Sequence, residues 1–265
     1  MPRLISLRLA IGFLTTLPLP QPNADELTAQ PAAWGKSFAW YPLVGALIGG
    51  LLLAAHWLLT LTHFSPLVQA GLLLLLWVML TGALHLDGLL DACDALFAPV
   101  STTRRLEILK DVHTGAFAVL GGMLAVGLKW ALLAQLLAQA GASSWLGLLL
   151  APILGRWLMV YIANRYPYAR PDVEGTPGSL GSFMRQGLDG AQLVRATLYT
   201  LGLAIGFWLT LRTDPLLLLR GLGALLLGLL LARWAARRLG GGLTGDLYGA
   251  LCEVTEIATL LMIAL

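Results

Sequence analysis

Seven long apolar stretches recur along this chain, at about 38–62, 66–86, 115–139, 145–163, 196–212, 216–239 and 248–265. Each approaches the roughly 20 residues that an α-helix needs to cross the hydrocarbon of a bilayer. Lipid offers no hydrogen bonds to a peptide group, so such segments must close their backbone bonds internally, as helices. The pattern predicts an all-α, polytopic integral membrane bundle of about seven transmembrane helices, in a single domain spanning residues 1–265. Composition agrees. Only 12% of residues are charged and 58% are hydrophobic, against about 25% charged in a soluble domain.

Residues 1–22 place Arg3 and Arg8 before an apolar run, as a signal peptide does. The run ends in Leu17-Pro-Leu-Pro20 with no small-residue cleavage site, so the segment is expected to be retained, as a re-entrant or interfacial piece. Threading the seven spans through a membrane puts the short links near His63, Gly141 and Asp214 on one side. The longer segments 20–37, 87–114, 164–195 and 240–247 fall on the other. The long segments and their flanks carry Lys36, Arg104, Arg105, Lys110, Arg165, Arg170, Arg185, Arg195, Arg237 and Arg238, whereas the short side offers Arg212 and Arg220. The excess of cations predicts that the long segments face the cytoplasm. Basic residues are scattered between spans and the net charge is only +3, which argues topology and not nucleic-acid binding. Cys93 and Cys252 lack metal-knuckle spacing and are read as packing residues.

Against this apolar background, Leu86-Asp-Gly-Leu-Leu-Asp-Ala-Cys-Asp94 places Asp87, Asp91 and Asp94 at helical spacings of four and three. The three carboxylates then share roughly a 60° arc of one helix face. Acids facing lipid are costly, so they must line a wet cavity or the interface, where clustered carboxylates suit a hard cation such as Mg²⁺. A second set, Asp246, Glu253 and Glu256, begins the last span, within roughly an 80° arc. Glu253 and Glu256 lie too deep to be explained by the helix dipole that accounts for Asp246. A metal site shared with the first cluster, held by Asp87, Asp91, Asp94 and Asp246, would supply their partner.

Cations surround these acids. Arg104, Arg105, Lys110 and Asp111 follow the first cluster directly and are assigned to the site, although a surface helix laced by ion pairs would look similar. Arg156 lies inside a span and is a candidate for the substrate; Lys129 is read as structural. The Pro- and Gly-rich segment 164–195 is expected to be a loop, in which Arg165 and Arg170, interleaved with Tyr166 and Tyr168, could hold phosphate and stack on a base, with an interfacial aromatic-and-basic anchor as the alternative. Catalytic loops are thus expected near 87–114, 164–195 and 240–256. His85 is read first as structural, with orientation of an aspartate as the alternative, and Trp34, Trp40 and Tyr41 first as interface anchors, with contact to a large apolar substrate as the alternative. With no Ser-His or Cys-His nucleophile in view, six acids and several fixed cations point to Mg²⁺-assisted phosphoryl-group transfer at a membrane surface.

The segments Phe13-Leu-Thr-Thr-Leu-Pro-Leu-Pro20, Tyr41-Pro-Leu-Val-Gly45, Leu84-His-Leu-Asp-Gly-Leu-Leu-Asp-Ala-Cys-Asp94, Arg105-Leu-Glu-Ile-Leu-Lys-Asp111 and Arg238-Leu-Gly-Gly-Gly-Leu-Thr-Gly-Asp246, in this order, resemble the cobalamin synthase family. The resemblance implies a Mg²⁺-dependent enzyme of the bacterial inner membrane, an adenosylcobinamide-GDP ribazoletransferase. Such an enzyme joins adenosylcobinamide-GDP to α-ribazole, or to its 5′-phosphate, and releases GMP. It also implies that Asp87, Asp91 and Asp94 hold metal and diphosphate with Asp111 and Asp246 in support, in a homo-oligomer or a complex with other cobalamin-assembly enzymes. Val112 and Ala95 depart from the family pattern of serine and glycine, and neither change removes a carboxylate. Two other readings stand beside it. A CDP-alcohol phosphatidyltransferase would require Ala-Arg after the first Asp-Gly, where this chain has Leu89-Leu90. A cation-coupled transporter would use intramembrane acids as an ion path.

Overall fold

The computed structural model describes residues 2–139, 141–169, 181 and 184–265. Among them the helices are α1 (Pro2–Leu14), α2 (Ala24–Ala29), α3 (Ala33–Ser37), α4 (Tyr41–Leu59), α5 (Pro66–Thr81), α6 (Leu84–Phe97), α7 (Thr102–Ile108), α8 (Ala116–Gln139), α9 (Ala142–Arg165), α10 (Gly190–Leu211), α11 (Leu216–Arg238) and α12 (Gly245–Ala264). A short 3-10 turn, Phe38–Trp40, joins α3 to α4. Six segments are long and apolar enough to cross a membrane, and α5 with α6 makes a seventh only across a 90° bend.

That bend corrects the span expected over 66–86 and the loop expected over 87–114. Gly82 and Ala83 both adopt left-handed backbone, with φ of 58° and 57°. The Gly82 and Ala83 N–H groups turn back onto the carbonyls of Met79 and Val78, 3.2 and 3.1 Å away, which closes α5 and redirects the chain. Thr16, just beyond α1, covers the carbonyls left open at the break. Its N–H donates to Leu80 O at 2.9 Å and its hydroxyl to Met79 O at 2.8 Å. Protein thus replaces the hydrogen bonds that lipid could not supply to a broken helix.

The bundle is built around α9 and α12, whose apolar windows are 89% and 83% buried, against 22% for α8 and 11% for α10. The outer helices turn residues such as Met123, Leu124, Leu198 and Leu222 outward, where lipid would cover them. Close approach of α4 to α9 depends on Gly45 and Gly49, a small-xxx-small pair. A Cβ on Gly45 would stand 2.4 Å from Pro152 O, and one on Gly49 2.8 Å from Leu148 O. At the end of α11, Gly240 enters the left-handed region (φ 78°) and the Gly241 N–H bonds to Ala236 O at 2.7 Å. The chain then runs beside the segment after α9: Leu243 N–H donates to Pro167 O, and Ala169 N–H to Leu243 O, both at 3.0 Å. This stitch places Tyr168 beside the first turn of α12.

Candidate active site

Helices α6 and α12 meet through glycines. A Cβ on Gly88 would lie 2.5 Å from Asp246 O, and one on Gly249 would lie 3.1 Å from His85 Cα. The contact brings Asp87 and Asp246, from distant parts of the chain, to the rim of one cavity of about 220 Å³. Asp87 is exposed and Asp246 half-buried, so this rim is wet. Five aromatic rings stand in the walls, those of Phe13, Phe38, Tyr41, Tyr168 and Tyr248, together with Met159 and Met184. Tyr41 and Phe38 stack at 4.6 Å. Tyr248 is held by Arg185, which donates to its hydroxyl and to Tyr166 O, each at 3.0 Å.

Several of these residues escape sequence reasoning. Tyr41, expected as an interface anchor, is only 1% exposed and forms a cavity wall. Arg185 counts in the sequence only toward topology, yet it organises a wall; nothing in its spacing signals this. Tyr168, which stands among arginines in the sequence, lines the cavity.

The four carboxylates expected to share a metal are not gathered. Among the described residues no three His, Cys, Asp or Glu side chains come together so as to hold an ion alone. Asp91 is half-buried one turn beyond Asp87. Asp94 turns to the start of α8, accepting from the N–H groups of Gly115 and Ala118 at 2.6 and 2.9 Å. A carboxylate at that helix end satisfies open donors and favours the dipole. Gly115 permits the approach, since a Cβ there would stand 2.7 Å from Asp94 Oδ1.

Asp111 accepts from the side chain and backbone of exposed His113, at 2.6 and 3.0 Å. The His113 side-chain hydrogen bond, more than any other contact, holds Asp111 below the usual carboxylate range. Arg104 pairs with Glu107 at 2.7 Å on the exposed face of α7. Arg105, expected at the substrate, is buried and donates to the carbonyls of Ala95, Leu96 and Ala98, closing the end of α6. Lys110 is exposed. Arg165 is also exposed, near the Tyr166 ring. Arg170 lies outside the described residues.

Glu253, Glu256 and Arg156 were also expected to meet substrate, and the structure spends them on one another. Lys129 pairs with Glu253 at 2.8 Å and also with Glu256, which in turn binds Arg156. Lys129 rests 3.9 Å from the centroid of Trp77. Two acids and two cations form a buried quartet without net charge, the arrangement that makes ions tolerable among apolar helices. This mutual pairing removes the unpaired acids on which an ion-path reading rested. The Arg156 Nη2 atom lies 3.3 Å from His85 Nδ1. A guanidinium only donates, so Nδ1 accepts and the imidazole proton sits on Nε2.

Fold and site together define a polytopic α-helical membrane protein with an acid-rimmed, aromatic-walled cavity between two of its helices. A family model described as cobalamin-5-phosphate synthase matches residues 6–264. The chain belongs to that family. Similar proteins include the adenosylcobinamide-GDP ribazoletransferase of Deinococcus radiodurans, 43% identical over 255 residues that make up 96% of this chain and 84% of the relative. The protein of the same name from Desulfitobacterium hafniense is 40% identical over 264 residues, 98% of this chain and 97% of its own. That of Pseudomonas aeruginosa is 42% identical over 267 residues, 98% of each chain. No solved structure matches the chain.

Proposed function

We propose that the protein transfers the phosphocobinamide group of adenosylcobinamide-GDP to α-ribazole, or to its 5′-phosphate, with release of GMP. A ribose hydroxyl attacks the phosphorus on the cobinamide side; the bond from that phosphorus to the bridging oxygen breaks, and GMP leaves with the bridging oxygen. The observation that carries this reading is the meeting of Asp87 and Asp246 at one cavity in a chain of this family.

The donor set suits Mg²⁺ delivered with a diphosphate. That ion commonly takes one or two protein carboxylates and completes its shell with substrate phosphates and water. Asp87 and Asp246 would hold it, with Asp91 one turn away. Once bound, it would neutralise diphosphate charge and ease departure of GMP. The carboxylates also fix the orientation of the phosphates, which converts a chance encounter into a held geometry. Lys110 and Arg165 are exposed and would offer hydrogen-bond donors to phosphate oxygens at the surface. The cation excess of the long segments supports a site that faces the cytoplasm at the inner membrane.

The test is GMP release by the purified protein in detergent, with both substrates present. Release that requires Mg²⁺ and stops on chelation is expected. No release under those conditions overturns the assignment.

A further inference from the structure

The cavity has a floor as well as a rim. On α12, Asp246 abuts Gly88 and Gly249 abuts His85, so His85 lies about one turn deeper than the acids, toward the buried quartet. His85 is 1% exposed and is one of the residues lining the cavity. Its Nδ1 edge is occupied by Arg156, while Nε2, which carries the proton, has no hydrogen-bond partner among the described residues. A buried donor left open is rare in proteins and calls for a partner. Around it stand aromatic rings, among them Phe38, Tyr41, Tyr168 and Tyr248. The Tyr41 hydroxyl, likewise buried without a hydrogen-bond partner among the described residues, stands in the same walls. Aromatic walls with an open donor suit a flat aromatic ligand that carries an acceptor.

We propose that this cavity seats the base of the nucleoside substrate, a planar bicyclic heteroaromatic whose single free ring nitrogen accepts the Nε2–H of His85. The inference rests on the function proposed above and says which substrate lies where. A dimethylbenzimidazole attached to ribose through one nitrogen has a methyl-bearing edge and one unprotonated nitrogen. With the base between the rings, its ribose points outward to the rim, where a hydroxyl meets the diphosphate held by Asp87 and Asp246. Arg156, backed by Glu256, is a positioning residue in this arrangement: it keeps the His85 proton on the nitrogen that faces the ligand.

The experiment measures binding of α-ribazole to the intact protein in detergent by equilibrium dialysis, against the ribosyl dimethylindole in which the free nitrogen is replaced by C–H. The wild-type protein is expected to bind the indole compound about 10- to 100-fold more weakly, the range of one buried hydrogen bond. His85→Phe should bind both alike, and His85→Gln, which keeps a donor near the same place, should restore part of the preference. Should His85→Phe fail to fold, the comparison of the two ligands on the wild-type protein still decides. Equal wild-type affinity for both ligands overturns the proposal, as does displacement of α-ribazole by GMP at comparable concentration. GMP release with both natural substrates is scored in parallel. Its absence sinks the function itself, whereas its presence without discrimination between the ligands sinks only the base site.

Discussion

Asp87 and Asp94 lie two turns apart on one helix, and the fold gives them different work. Asp87 is solvated at the cavity rim, whereas Asp94 closes the start of α8. Asp87→Asn should therefore lower turnover by about 100-fold or more, since it removes a charge at a developing phosphoryl centre. Membrane insertion and helix content, read by circular dichroism, should stay unchanged. Asp94→Ala should instead lower stability by about 1 kcal/mol, the usual cost of a lost cap. Its Mg²⁺ dependence of GMP release should match that of the wild type, while its thermal unfolding midpoint falls. The helical spacing of the three aspartates made their shared face legible in the sequence. It could not reveal that α8 would begin beside the third, because that depends on a tertiary approach permitted by Gly115.

At the scale of the element, the break between α5 and α6 is the feature that hydropathy conceals. The sequence stays apolar through Leu86, so a reading by composition runs the span straight past Gly82. Composition has no access to φ, and it is two left-handed residues that end the helix. Ala83 occupies that region with a Cβ, which costs about 1–2 kcal/mol for a residue other than glycine. Ala83→Gly should accordingly raise the unfolding midpoint in detergent, with activity retained. A fall in the midpoint would show that the Ala83 methyl contributes more by packing than it loses by strain. The glycine pair Gly45 and Gly49 was equally present in the sequence. Its meaning appears only with its partner, since a small residue on a helix does not say which neighbour comes close.

Across the whole molecule, the apolar stretches foretold a membrane helix bundle, six of them as unbroken spans and the one over 66–86 broken by a 90° bend. The stretches could not be ranked, because leucine fills the buried α9 and the lipid-facing α10 alike. Nor could they say that Glu253 and Glu256 would be answered by Lys129 and Arg156 and not by substrate, since that pairing joins three helices. Lys129→Met should leave two buried acids short of a partner and destabilise the protein by about 3–5 kcal/mol, as when one member of a buried ion pair is removed. Adding Glu253→Gln should recover part of that loss in the same unfolding assay. The direction of the bundle is open to a separate check. In a background with Cys93 and Cys252 replaced by alanine, a cysteine at position 110 should be shielded in intact cells from a maleimide that cannot cross the inner membrane. A cysteine at position 63 should react. The reverse pattern would put the acidic rim outside the cell.

The contact of Gly88 with the Asp246 carbonyl has a mechanical corollary. Two main chains in touch leave no slack, so α6 and α12 cannot part or slide at this point, and the two helices behave as the fixed jaw of a vice. Any widening of the cavity must come from the facing side, where Phe13 lies near the end of α1 and Tyr168 sits between the two bonds of the stitch to Leu243.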